Sequence, residues 1–453
     1  MSGATPTLTL PRSAARSRVL NAALVLAAAG VVVKLAGLGR EFFLAAVYGR
    51  SDAMDALLAA LLIPNLLVNL VAESMNQALI PTLMRVRLQQ GHARAQELLS
   101  GSLLWLMGML GGAAAIMALL AHALFPLIAS GFPAAKLGLA IRLFYVLLPV
   151  VLLSGIVSNC TAVLNTLDRF ALPGLAPAVI PATVVGLTFL LHDTLGIWVV
   201  ALAMVAGTGI HAATMAGLMQ ACGYEFRPRW YGGTEASREV AHQYGAVFLS
   251  SVVASAGLVV DQAMAAMLPA GSVSALVFGG RYVSVAMTLV AGAISSALVP
   301  YFSTLVAQRD WVACRSTMRR WASIAALVST PLAFGLIAGS HWLVALTLQH
   351  GAFGARDTAA VVPVLTMYAI QIPFFVVSRV FYRFVVAMRR TDLVLYCGVV
   401  NLLLDVVLNL VLMRWMGVAG IALATSLWSI STCVAFWFWA RRLLLRAERE
   451  ERR

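Results

Sequence analysis

The sequence predicts an all-α polytopic membrane protein, with about twelve transmembrane helices in two six-helix lobes related by a pseudo-two-fold axis along the membrane normal. Three observations carry this. Hydrophobic residues fill 61% of the 453 positions and charged residues only 11%, whereas a soluble globule is about a quarter charged. Apolar stretches long enough to cross a hydrocarbon layer of about 30 Å follow one another, cut by arginine, proline and glycine. The second half of the chain also repeats features of the first.

Taken in order, a basic segment (1–18) with Arg12, Arg16 and Arg18 precedes the first apolar run. It resembles a signal peptide, with Ala27-Ala28-Ala29 as a cleavage site, but the run continues well past it and reads as an uncleaved span. Six spans are expected in an N-lobe (19–222), near 19–48, 56–84, 99–128, 137–166, 174–192 and 196–222. A mixed-charge linker (223–239) follows. Six more are expected in a C-lobe (240–445), near 240–268, 273–306, 317–346, 358–388, 391–414 and 417–445, before a basic tail (446–453).

The cations sort by side. Arg85, Arg87 and Arg94, then Arg227, Arg229 and Arg238, then Arg309, Arg315, Arg319 and Arg320, then Arg389 and Arg390 fall in alternate connections with both chain ends. The other connections carry only Arg50, Lys136, Arg356 and Arg414. The positive-inside rule therefore places both termini in the cytoplasm. The net charge of +14 follows from this topology and is no nucleic-acid footprint, because the arginines lie in short loops rather than on one face.

The repeat is read from two pairs of segments. Ala78-Leu79-Ile80-Pro81 returns as Ala297-Leu298-Val299-Pro300, and Leu195-Gly196 with Ala201-Leu202-Ala203 returns as Met416-Gly417 with Ala422-Leu423-Ala424. An even number of spans per repeat gives both halves the same orientation, and parallel repeats of this kind bind substrate between them.

Charge inside spans marks candidate function, since it is costly at membrane depth. Lys34, Arg40 and Glu41 lie in the first span beside Gly37 and Gly39, and Asp55 follows. Arg40 and Arg281 each lie about 12 Å below the outer end of their spans at about 1.5 Å per residue. Two guanidiniums converging from opposite lobes suit a phosphate or diphosphate, with Asp55 and Glu41 restraining them when no substrate is present. Arg142, Arg379 and Arg383 lie near span ends, where snorkelling explains them. A second cluster is anionic and amide. Asn401, Asp405 and Asn409 form one stripe at i, i+4, i+8, with Asp261 and Thr425 expected at a similar depth. These oxygens suit Na⁺ or a shared proton, while the amides also serve as interhelical glue.

Cys160, Cys222, Cys314, Cys397 and Cys433 form no CxxC pair, so neither a disulfide frame nor a zinc site is indicated. Nor is there a Walker loop, an HExxH or a GxSxG. A transporter with no catalytic residues and no tightly bound cofactor is expected. A cation-coupled drug antiporter and an intramembrane glycan ligase or polymerase are the alternatives.

Several stretches together resemble one family. They are Gly37-Leu38-Gly39-Arg40-Glu41, Asp52 to Asp55 with Ile63-Pro64-Asn65-Leu66-Leu67, and Ala72-Glu73 to Gln77-Ala78 and Pro81. Leu164-Asn165-Thr166 with Arg169-Phe170-Ala171, Leu268 to Leu276 with Arg281, and Gly351-Ala352-Phe353 with Asp357-Thr358 complete the set. The chain is similar over nearly its whole length to the MviN/MurJ lipid II flippases of the multidrug/oligosaccharidyl-lipid/polysaccharide exporter superfamily.

The resemblance implies a bilobed carrier in the bacterial inner membrane that moves a polyprenyl-diphosphate-linked glycan to the outer leaflet, alongside enzymes of cell-wall or polysaccharide synthesis. It implies substrate-site roles for Lys34 (arginine in the family), Arg40, Asp55, Ser274 and Arg281, with Glu41 and Glu73 in support. It also implies a sodium site at Asp261, Asn401, Asp405 and Thr425. The chain departs from the family at Val68-Asn69, where arginines are usual, and at Gly280, where an acid is usual. Family members with lipid II roles usually have fourteen spans, so about twelve here widens the expected cargo to related lipid-linked oligosaccharides.

Overall fold

The computed structural model describes residues 12–451 except 168 and 170. The side chains of residues 12–27, 246, 253–254, 289, 291–301 and 391 lie outside that description. Within it the chain is helical throughout, with no strand. The N-lobe helices are α1 (Arg12–Tyr48), α2 (Asp52–Gln90), α3 (His92–Ile128), α4 (Ala134–Thr166), α5 (Ala171–Leu195) and α6 (Trp198–Ala221). The C-lobe holds α7 (Glu235–Ala266), α8 (Ser272–Ala307), α9 (Trp311–Ala338, continued by Ser340–Leu348), α10 (Ala355–Ala387), α11 (Thr391–Met416) and α12 (Val418–Glu451). Each expected span meets one of these helices. By length and composition ten of them suffice to cross a membrane among the described residues. The other two, α1 and α8, have 37 and 36 residues.

Helix starts are set by short polar caps. The Ser51 hydroxyl accepts from Met54 N at the start of α2, Thr234 does the same for Ser237 N at α7, and Asp310 for Ala313 N at α9; each satisfies an N–H the helix leaves open. Four expected spans are not simple rods, and α5 among them passes through a 3₁₀ turn at Ala176–Ala178. In α2 the segment Val68–Glu73 is a π-helix four residues after Pro64, a local widening of the helix of the kind often found at functional sites. α9 turns at Gly339, and α10 changes course at Ile370, beyond Pro363.

The repeat predicted from sequence is visible in the backbone. Gly196 (φ 54°) and Gly417 (φ 57°) end α5 and α11 in the same left-handed turn, and each N–H returns to the carbonyl four residues back. Gly91 and Arg309, with φ 86° and 57°, occupy matching turns after α2 and α8. Within the N-lobe, α6 packs on α4 and α5, and α4 on α2; within the C-lobe, α12 packs on α10 and α11, and α8 on α10. The lobes meet where α2 and α3 face α7, and where α1 and α2 face α8. Leu119, Leu327, Trp342 and Trp415 are each more than two-thirds exposed on helix flanks. Such a surface is stable only against hydrocarbon.

Candidate functional site

Arg40 on α1 and Arg281 on α8 reach the same carboxylate oxygen across the interface between lobes. Arg40 Nη2 lies 2.6 Å from Glu41 Oε1, and Arg281 Nη2 lies 3.3 Å from it. Glu41 is buried, whereas the Arg281 side chain is 47% exposed, so one face of the clamp is open. A Cβ built on Gly37 or Gly39 would meet nothing within 4 Å, which keeps α1 slim ahead of Arg40. The buried Arg40 Nε has no hydrogen-bond partner, leaving that guanidinium capacity for a further acceptor. A carboxylate held by two guanidiniums is the geometry in which a phosphate oxygen also binds. Lys34 is exposed one and two-thirds turns back along α1 and makes no ion pair among the described residues. At Gly280, a Cβ would lie 3.5 Å from the Tyr368 ring, an ordinary contact distance, so the ring borders the place where the family's acid would stand.

Asp55 stands elsewhere than the sequence reading put it. Its carboxylate does not face Arg40 or Arg281; it caps the N-terminus of α8 across the lobe interface. Gly271 N (2.7 Å), Ser274 N (2.8 Å) and the Ser274 hydroxyl (2.7 Å) all donate to it, and Lys136 Nζ on α4 lies 2.8 Å away. Asp55 is 1% exposed and Lys136 6%. The physical reason is the helix end, whose free N–H groups and positive dipole favour an anion. Charge-assisted bonds of this kind contribute about 1.5–3 kcal/mol each.

Around Asp55 the lobes touch backbone to backbone. Ala352 N donates to Ala46 O at 2.7 Å, and Arg50 Nε to Gly271 O at 3.0 Å. At Gly351 (φ +59°) a Cβ would lie 2.3 Å from Ala46 O, and at Gly131 one would lie 2.4 Å from Ala266 O. This end of the bundle is sealed. At the opposite end, which carries the linker, the arginine-rich turns and the start of α1, α7 packs on α2 and α3, the Trp105 ring stands edge-on to Tyr244 at 5.4 Å, and the exposed Arg85–Glu239 pair and, deeper in, the Ser74–Ser251 hydroxyl contact also join the lobes. Glu73, where the π segment ends, is exposed.

The acidic cluster lies wholly within the C-lobe. Asn409 Nδ2 donates to Asp261 Oδ1 (2.8 Å) and Thr425 Oγ1 to Asp261 Oδ2 (3.1 Å), with Asp405 in hydrogen-bonding reach of Asp261. Asp405 Oδ1 and Asn409 Oδ1 are buried without a partner. Unpaired buried oxygens beside two carboxylates fit a hard cation or a shared proton. Asn401 is not in this group. Its amide donates to Cys397 Sγ and Thr432 Oγ1 and its carbonyl accepts from Ser431 Oγ, tying α11 to α12. Each four-residue step turns a helix about 40° and climbs about 6 Å, so Asn409 rather than Asn401 reaches Asp261.

Arg379 stacks 4.3 Å from the Phe375 ring and Arg383 5.6 Å from Tyr382, both on their own helix, and Arg142 is exposed. Lys136 and Arg50 were read from sequence only as topology markers. The signal that singles them out is the pair of tight turns at Gly49 and Gly271, which bring their helix ends together.

Comparison with known proteins follows the same outline. The family described as lipid II flippase MurJ matches residues 44–451. A probable lipid II flippase MurJ of Synechocystis is 24% identical over 449 residues, covering 96% of this chain and 84% of its own length. The lipid II flippase MurJ of Burkholderia cenocepacia is 26% identical over 355 residues, covering 74% and 67%. Among solved structures, a lipid II flippase MurJ in an inward closed conformation superposes with a TM-score of 0.80 at 20% identity, covering 94% of this chain and 90% of that one. An inward-facing multidrug resistance MATE family transporter of the MOP superfamily gives 0.74 at 12% identity, covering 94% and 99%, a likeness of fold. With nine-tenths of its length matched by the family and both lobes in the same arrangement, the chain belongs to the lipid II flippase MurJ family.

Proposed function

We propose that this protein carries lipid II, a glycan on a polyprenyl diphosphate, from the cytoplasmic to the outer leaflet of the bacterial inner membrane by alternating access. The observation that carries the reading is the meeting of Arg40 and Arg281, one from each lobe, on a single carboxylate. The diphosphate displaces Glu41 from the two guanidiniums, and the sugars occupy the space between lobes. The arginine asymmetry puts the linker end and both termini in the cytoplasm, so the end sealed around Asp55 faces outward, and loading from inside requires α7 to part from α2 and α3 at the linker end.

Release to the outer leaflet then requires α8 to leave Asp55. A dianionic diphosphate moving outward from a negative interior gains about 4.6 kcal/mol per 100 mV, enough to favour the loaded step. Asp261, Asp405, Asn409 and Thr425 would hold a sodium ion or a proton, whose bound charge offsets the two buried carboxylates. Because all four lie in one lobe, occupancy acts on the packing of α7 against α11 and α12. Delivered cargo serves peptidoglycan synthesis, and the enzymes that consume it are the natural partners.

The test is a flipping assay in vesicles with lipid II as donor. Arg40→Ala and Arg281→Ala are each expected to slow transport about ten- to a hundredfold, the equivalent of one charge-assisted contact. Unchanged rates in both would sink the clamp. A parallel series replaces sodium and tests Asp405→Asn; transport indifferent to both removes the cation from the cycle.

A further inference from the structure

At the linker end, away from the clamp and the seal, two cavities meet. One of about 570 Å³ lies between α2, α3, the linker and the start of α7, and its wall includes Arg85, Arg94 and Arg238. A second, of about 390 Å³, continues along α3 and is walled by Leu104, Gly108, Met109 and the two tryptophans, Trp105 and Trp230, of which both also border the first.

The polar cavity is of mixed charge. Arg94 pairs with Glu97 and Arg85 with Glu239, and Glu235 also lines it. Arg238 has no carboxylate within 4 Å among the described residues, so its guanidinium is the free cation of the wall. Glycines leave room along this wall, Gly101 beside the first cavity and Gly108 beside the second. Gly101, Trp105 and Gly108 share one face of α3 at i, i+4, i+7, and a Cβ on Gly101 or Gly108 would meet nothing within 4 Å. Trp105 and Trp230 are 37% and 60% exposed, the placement of ring side chains at a membrane interface.

Depth fixes the class of ligand. From Arg94 to Trp105 and on to Gly108, α3 climbs about 16 and 21 Å, against about 15 Å for one hydrocarbon leaflet. A guanidinium at headgroup level above a glycine-lined furrow that runs through the leaflet has the dimensions of one phospholipid. The geometry points to a resident diacyl phospholipid of the leaflet at the linker end, its phosphate on Arg238 and Arg94 and one acyl chain in the furrow between Gly101 and Gly108. The walls come from both lobes, α2 and α3 on one side and α7 on the other, so the lipid fills the seam that the Arg85–Glu239 pair spans. This site is independent of lipid II transport.

Native mass spectrometry of the full chain released from lipid nanodiscs tests it, with phosphatylethanolamine and phosphatidylglycerol discs as separate arms. Wild type is expected to retain one phospholipid through detergent exchange. Gly108→Leu, which fills the furrow, is expected to lose it, and Arg238→Gln to retain at least tenfold less. Gly186→Leu, an equally open glycine on α5, serves as control and retains the adduct. Gly101→Leu stands in should Gly108→Leu fail to fold by size exclusion. Retention in one arm only identifies the preferred headgroup. Equal adducts in wild type and the furrow variants, or a retained polyprenyl diphosphate in place of the disc lipid, overturns the assignment.

Discussion

The two ends of the interface between lobes are closed by different physics. At the sealed end a buried carboxylate takes four donors, and glycines let backbone meet backbone at Ala46, Ala352 and Gly351. At the linker end, Arg85 and Glu239 form an ion pair whose side chains are 44% and 36% exposed, beside open cavity. Desolvated, charge-assisted contacts hold firmly, whereas solvated ion pairs contribute at most about 1 kcal/mol. The contrast gives a carrier bolted by buried charge at one end and held at the other by the packing of α7 on α2 and α3, with Trp105 edge-on to the Tyr244 ring at 5.4 Å and a solvated ion pair beside them.

The largest expected effect comes from Asp55→Ala, which leaves Gly271 N and Ser274 N without their acceptor and Lys136 with only the more exposed Asp52, 2.7 Å away, and costs the sealed state about 3–5 kcal/mol. Cysteines placed at positions 46 and 352, whose backbones hydrogen-bond across the seal, should then lose nearly all their cross-linking. Undiminished cross-linking would show that the backbone contacts alone hold this end.

Next is Lys136→Met, which strands a buried carboxylate without its counter-charge, at about 3 kcal/mol. Lys136→Arg should restore most of the cross-linking, and Lys136→Met should add little once Asp55 is already Asn. A third change, Gly351→Val, drives a side chain into Ala46 O in a left-handed backbone and should loosen the seal by about 1–3 kcal/mol, read in the same assay. The smallest effect is expected for Glu239→Gln, under about 1 kcal/mol and fading as salt rises. A large, salt-independent effect on transport would make the tether as consequential as the seal.

How much of this could be read from sequence depends on which coordinate a residue's role requires. Depth is linear in residue number, so Arg40 and Arg281 could be matched across lobes by counting along two helices, and the arginine-rich turns gave the alternation of ends. Azimuth and tertiary neighbours are not linear. Asn401 and Asn409 look equivalent along the stripe on α11, yet only the latter faces Asp261. Lys136 reads as a loop cation because its partner lies on another helix, and Asp55 was paired with the wrong cations for the same reason. Pro64 is a legible interruption, but the π segment Val68–Glu73 beyond it, packed between α4 and α7, has no sequence signal of its own.

Lys136 and Asp55 belong to the same lobe, on α4 and α2. As the halves swing apart the acid therefore travels with its base, and what it surrenders to the departing helix are bonds from two amides and one hydroxyl. Water can replace neutral donors of that kind at little expense, so the door parts without ever baring a lone ion to oil.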